Sequence, residues 1–244
     1  MNKAMQVFIG SLLGDGNIFS TKEGYISYSE IHSLKQKDYL LWKMNLMSEL
    51  FNFAGSPYKF KTYDKRTKKE YGHIKINASD TKNLKKYYEE FYSNKKKVIP
   101  KEFLYKLSEL GLAVWYQDDG NYNYGGYRCS IATEGFSYEE HLLIKGFLEG
   151  KYGIICEIYK KGKQFYIGFN RKESEKFLKL ISSYIHKSMV YKLGHLDSSN
   201  EDKIVRAKKN VSKNKKIYYI KNREKIINYQ REYRKNKKTI KGLL

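Results

Sequence analysis

Phe8-Ile9-Gly10-Ser11-Leu12-Leu13-Gly14-Asp15-Gly16 has a counterpart in Leu112-Ala113-Val114-Trp115-Tyr116-Gln117-Asp118-Asp119-Gly120. Each is an apolar helical run that ends in Asp-Gly. A single Asp-Gly reads as a helix end and a turn. The pair reads as more, because both open equivalent places in a repeated pattern, with Asp15 and Asp119 104 positions apart. If the two helices pack side by side, their C-terminal ends bring the carboxylates together. Two close carboxylates repel unless a cation lies between them, and helix C-termini add partial negative charge. Oxygen ligands with excess negative charge favour a hard cation such as Mg²⁺.

Working outward, the pattern repeats. Residues 5–14 read as a short helix, with strands near 17–20 and 24–31. A helix over 35–52 carries Leu40, Leu41, Met44, Met47 and Phe51 at helical spacing. Strands at 58–63 and 71–77 and a helix at 80–93 follow. The second half reads as a short helix at 101–107, the apolar helix 109–118, and strands at 121–124 and 126–133. A helix at 137–151, strands at 154–160 and 164–170, and a helix at 172–187 complete it. This order predicts an α+β fold of two duplicated units.

The strands have two chemically different faces. In 71–77, Gly72, Ile74 and Ile76 oppose Tyr71, His73, Lys75 and Asn77; in 58–63, Lys59, Lys61 and Tyr63 share a face. In 126–133, Arg128 and Ser130 oppose Tyr127, Cys129 and Ile131. In 164–170, Gln164, Tyr166, Gly168 and Asn170 oppose Phe165, Ile167 and Phe169. Polar faces of this kind can touch phosphates and read base edges in a major groove.

Composition points to the same partner. The chain has 244 residues, 48 Lys+Arg and 26 Asp+Glu, for a net charge of +22, which favours a polyanion. Lys outnumbers Arg 41 to 7, a weak sign of an AT-rich genome. Cys129 and Cys156 are too few for a disulfide scaffold or a CxxC zinc site, and a reducing compartment is expected. No apolar run approaches the ~20 residues that span a membrane. Asp15 and Gly16 fall where a signal-peptide cleavage site would lie, so no signal peptide is expected. An intracellular protein is expected, with organelle, phage-infected cell and bacterial cytoplasm not distinguished.

The basic excess is concentrated at the end. Residues 203–244 hold 16 bases and 2 acids, a net +14, against +8 for the first 202. Aromatic and aliphatic residues, among them Ile217, Ile220, Tyr229 and Tyr233, are interleaved with the bases. The segment reads as a basic helix on a duplex or a flexible arm, with Arg223 and Lys225 among the candidate DNA contacts. The polar run 197–202 (DSSNED) marks the expected boundary.

The two Asp-Gly segments resemble the paired motifs of the LAGLIDADG homing endonucleases, of the single-chain, two-motif kind. Asn94-Lys95-Lys96-Lys97-Val98-Ile99-Pro100 and Met189-Val190-Tyr191-Lys192-Leu193 are similar to the segments that close each half in a yeast mitochondrial omega-intron member of that family. The resemblance covers roughly residues 5–197. It implies two αββαββα units, 1–97 and 98–197, related by a pseudo-twofold and forming a saddle over DNA, with 198–244 as a basic extension. It implies Asp15 and Asp119 as metal ligands, Gly14 and Asp118 beside them at the metal, and Lys97 and Lys192 as the basic residue of each active site. Glu30 is a further candidate near the first site.

The implied activity is Mg²⁺-dependent hydrolysis of both strands of a long, near-asymmetric DNA target by a monomer, with Mn²⁺ able to substitute. The alternatives are an intron maturase whose partner is RNA, or a DNA-binding protein of the same fold without catalysis. Small residues are expected where the motif helices touch. Gly10 and Gly14 provide them, whereas Val114 and Asp118 are larger, so the approach is expected to rest on the first helix.

Overall fold

The first motif forms helix α1 (Lys3–Leu13), capped by Asn2, whose side chain accepts from the Met5 N–H at 2.9 Å. Nearly all of α1 is buried, from Ala4 to Leu13 apart from Met5. A helix apolar on all sides belongs inside a molecule rather than on it. In the computed structural model the described residues are 1–53, 55 and 57–241. Helix α1 leads into strands β1 (Asn17–Ser20) and β2 (Ile26–Ser33), helix α2 (Lys37–Met47), strands β3 (Tyr58–Asp64) and β4 (Lys69–Ser79), and helix α3 (Thr81–Phe91). A two-stranded ribbon, β5 (Tyr92–Ser93) with β6 (Lys96–Lys97), follows.

The second half repeats this order after a short helix α4 (Lys101–Tyr105). The second motif is helix α5 (Glu109–Asp119). Then come strands β7 (Gly120–Asn123) and β8 (Arg128–Ile131), helix α6 (Tyr138–Tyr152), strands β9 (Glu157–Lys161) and β10 (Gln164–Gly168), and helix α7 (Arg171–Ile181). The two four-stranded antiparallel sheets have matching orders, β1-β2-β4-β3 and β7-β8-β10-β9. The α+β class and the duplicated αββαββα plan expected from sequence are therefore present.

Helices α1 and α5 pack against each other at the centre of one continuous apolar core that spans both halves. Equivalent positions face each other across the pair. A Cβ built on Gly10 would lie 2.9 Å from the Val114 Cβ, and one on Gly14 would lie 2.6 Å from the Asp118 Cβ. Contact between residues 104 apart in both cases is what a twofold axis between the helices produces. Gly111 also meets the first helix, at the Gln6 side chain, so the second helix contributes one small residue of its own.

One local expectation is corrected. The register of β3 on β4 pairs Lys59 with Ile74 and Lys61 with Gly72, while Phe60 pairs with His73 and Tyr58 with Lys75. Directly opposed residues share a face. Lys59 and Lys61 therefore lie on the Ile74 side, away from His73 and Lys75, and the open face of β3 carries Tyr58, Phe60 and Thr62. Phase within a strand of alternating Lys and aromatic residues is set by pairing, which composition does not reveal.

Within the expected boundary run, 197–202, the chain is tied to the body. Asn200 is buried, its amide donating to the Val190 and Gly194 carbonyls at 3.0 Å each. Helix α8 (Glu201–Lys241) continues from it, with non-helical backbone angles at Asn222. The last three residues of the expected extension lie outside the described residues.

Candidate active site at the paired motif helices

Helix α5 ends at Asp119, where Gly120 turns the chain out, and α1 ends at Leu13, with Gly14 as its C-cap and Asp15 one residue beyond. A Cβ on Gly120 would lie 2.2 Å from the Tyr116 carbonyl oxygen, so only glycine fits after Asp119. The Asp15 side chain is 40% exposed. Asp119 is pushed up to about 7, first by burial and then by the negative charges of Asp15 and Asp118. Lys97 and Lys192 oppose this rise without cancelling it, and a divalent cation would stabilise the ionised form further.

The two lysines make equivalent contacts. Lys97, at the end of β6, donates to the carbonyls of Gly14 and Gly16, both at 2.8 Å. Lys192, buried within the 3₁₀ stretch Lys187–Leu196, donates to the Asp118 carbonyl at 2.9 Å and to that of Gln117. Gly14 and Asp118 are the residues before Asp15 and Asp119, so each ammonium lies beside the end of one motif helix. Burial lowers both lysine pKa values, against the pull of Asp15, Asp118 and Asp119. The carbonyls of Gly14 and Asp118 thus already accept from lysine, each retaining a second lone pair.

Asp118 has a second role that sequence reasoning missed. Its side chain is fully buried and points into the first half. There it accepts from the Tyr39 hydroxyl at 2.9 Å and the Lys43 ammonium at 2.8 Å. Lys43, also fully buried, is paired in addition with Glu30. Glu30 accepts from Tyr28 at 2.8 Å and contacts His32 Nε2 at 2.9 Å. Burial pushes the Glu30 carboxyl up, but Lys43 and His32 outweigh it and hold it well below the usual range. Asp118 moves the other way: burial dominates over Lys43, and Glu30 and Asp15 add to the rise. Asp15, His32 and Asp118 bring one potential ligand atom each within 4.8 Å of one another.

This polar cluster belongs to one half only. Asn17 pairs with Ser29 and Asn121 with Ser130, so Glu30 and His32 correspond to Ile131 and Thr133. Ile131 is fully buried, and Thr133 bonds His141 at 2.9 Å. Lys43 falls in helical phase with Leu40 and Met47, where an apolar residue would be ordinary, and that is the one signal the sequence offers.

The open sheet faces carry most of the expected contact residues. In the first sheet, the β2–β4 register puts His73, Lys75 and Asn77 with Ser33, Ile31 and Ser29. In the second, Arg128 and Ser130 oppose Asn123 and Asn121, and Gln164 and Tyr166 oppose Lys161 and Tyr159. Asn170 is committed elsewhere, its side-chain oxygen capping α7 by accepting from the Glu173 N–H at 3.0 Å. Arg223 and Lys225 lie on α8, just beyond Asn222 and exposed.

Paired central helices under two like sheets define a known class of fold. The homing endonuclease I-WcaI, solved bound to its DNA recognition sequence, superposes with a TM-score of 0.70 at 24% identity, over 79% of this chain and 86% of that one. The sequence profile of the LAGLIDADG DNA endonuclease family matches residues 5–177, and the chain belongs to that family. The RecA protein of Mycolicibacterium flavescens is 27% identical over 208 residues, 79% of this chain and 46% of that protein; the chain thus spans about half the length of this relative. The intron-encoded endonuclease ai4 of Dictyostelium discoideum is 38% identical over 117 residues, 46% of this chain and 72% of that protein. The cytochrome b mRNA maturase bI2 of Debaryomyces hansenii is 29% identical over 78% of this chain and 73% of its own length. No helix among the described residues is long and apolar enough to cross a membrane.

Proposed function

We propose that the protein is a site-specific endonuclease that cuts both strands of duplex DNA as a monomer, each half supplying one active site. The observation that carries this reading is the matched pair of helix ends: Lys97 donates to the Gly14 carbonyl just before Asp15, and Lys192 to the Asp118 carbonyl just before Asp119, on two packed helices. The two sheets differ in the side chains on their open faces, which suits a long, near-asymmetric target. Their Asn, Gln, Lys, Arg and Tyr residues are groups that bond phosphates and base edges.

The donor set fits a hard divalent cation, Mg²⁺ with Mn²⁺ as a substitute, because carboxylates and carbonyls crowd together and the Asp119 carboxyl is raised by burial and by Asp15 and Asp118 despite Lys97 and Lys192. Asp15 and Asp119 would hold it, with the Gly14 and Asp118 carbonyls at hand. When bound, such a cation makes water more acidic and stabilises charge on the phosphate. Lys97 and Lys192 hold ammonium protons beside the helix ends, where they orient water and offset charge building on the scissile phosphate. No side-chain nucleophile is required.

The relative named a maturase keeps an RNA-assisting reading open for the fold. Two intact motif aspartates favour cleavage. The test is a Mg²⁺-dependent assay on a target recovered from a randomised duplex library. Wild-type protein should make a double-strand break, and Asp15→Asn or Asp119→Asn should abolish it while duplex binding persists. Cleavage by either variant at the wild-type rate would refute the assignment.

A further inference from the structure

Helix α8 leaves the body at the turn between β7 and β8. Its first turns are held there by stacking. The Lys203 ammonium lies 5.8 Å from the Tyr124 ring centre and 5.4 Å from that of Tyr191. Lys208 lies 5.8 Å from the Tyr127 ring, which the Arg171 guanidinium also covers at 4.7 Å. Val211 touches Gly125 in the turn itself, since a Cβ there would meet its side chain at 2.7 Å. The turn is flanked by Asn123 and Arg128 of the open face. The direction of the helix is thus fixed at the rim of the second sheet.

Beyond this anchor the helix is exposed. From Lys213 to Arg234 it carries eight bases and two acids. Among the described residues no ion pair involves this stretch, so its positive charges repel along the helix without compensation. Most of its apolar side chains are exposed too, Tyr218, Ile220 and Tyr229 at 65, 64 and 69%, with Ile226 and Ile227 half-buried. Ile217, Tyr218, Tyr219 and Ile220 are consecutive, and at about 100° per residue they point all round the helix. A helix for a membrane surface or a partner helix would gather them on one face.

We infer that Lys213–Arg234 of α8 is a phosphate-binding arm that follows duplex DNA beyond the saddle, on the flank of the second half only. This rests on the reading of the chain as a duplex-binding endonuclease. Twenty-two helical residues span about 33 Å, close to one turn of duplex at roughly 34 Å. Bases around the helix, with tyrosine hydroxyls between them, suit a backbone of regularly spaced phosphates. At Asn222 the side-chain amide donates to the Tyr218 carbonyl at 2.9 Å, the acceptor its own N–H would use in a straight helix. This gives the arm a defined bend rather than a break.

The test is a full-length variant with Lys213, Lys215, Lys216, Lys221 and Lys225 each changed to Gln, which preserves helix propensity. An unchanged helical signal and melting temperature show that it folds. Affinity for a long random-sequence duplex is titrated against salt. The slope of log K against log[salt] should become shallower by about 3 to 4, at ~0.9 for each phosphate no longer neutralised. Footprinting on the selected target should retract on the second-half flank alone, and Tyr127→Ala should blur that same edge by loosening the anchor. An unchanged slope and footprint, or a weakened slope on structured RNA but not on duplex, would overturn the arm. Wild-type protein that neither binds nor cuts duplex would instead undo the endonuclease reading itself.

Discussion

Gly14 packs directly on Asp118: the absent side chain of the first is the space occupied by the second. These are equivalent positions of the two motifs, yet one is the smallest residue and the other a buried carboxylate. The Asp118 side chain crosses the pseudo-twofold axis into the first half, where Lys43 and Tyr39 receive it. The interface between the motif helices is therefore asymmetric at its centre, although the backbone plan is not.

Gly14→Ala should separate the helices. A Cβ there would lie 2.8 Å from the Asp118 carboxylate oxygen as well as 2.6 Å from its Cβ. Overpacking of this kind costs about 1–3 kcal/mol. Urea unfolding should show a lower midpoint, and cleavage of both strands should slow because Asp15 and Asp119 move together. Wild-type stability would mean that the helices yield easily.

Lys43→Met should be among the most destabilising single changes in the first half. It leaves Glu30 and Asp118 buried without their shared cation, and breaking a buried pair costs about 3–5 kcal/mol. Adding Glu30→Gln should restore part of the stability, since it removes one of the stranded charges. Melting temperatures of the single and double variants measure this coupling. Strict additivity would show that the pair does not act as a unit.

Lys97→Ala and Lys192→Ala should each slow single-turnover cleavage while leaving duplex affinity within a few fold. Each ammonium contacts the carbonyl that precedes a motif aspartate, whereas neither lies on the open sheet face. Strand-specific end-labelling should show the two variants impaired on opposite strands. Equal effects on both strands would mean that the sites are not independent.

Burial raises the thiols of Cys129 and Cys156 from an ordinary 9.0 to about 12. In the unfolded chain they ionise first, so stability should fall as pH rises above about 9 towards 12. At pH 8 in native buffer, neither should react with a maleimide faster than the protein opens. In denaturant both should react at once. Rapid native labelling would show that one of them is exposed.

Local pattern alone accounts for the periodic elements and the matched motifs. Apolar runs that end in Asp-Gly, strands of alternating polarity and paired Lys-containing segments carry helix, strand and turn preferences that need no distant partner. The placement of Asp15, Asp119, Lys97 and Lys192 about the ends of the motif helices follows from the motif each occupies. Tertiary packing was needed to settle which face of β3 carries Lys59 and Lys61, since the phase of a strand depends on its neighbour's register. It was needed as well to show that Asn170 caps a helix, that Asn200 forms a built joint, and that Lys43 is a buried counter-ion rather than a surface base. The last of these depends on a residue far along the chain, since Asp118 and Lys43 are 75 apart. A charge is buried only where a distant partner arrives to neutralise it, and no local pattern encodes that arrival.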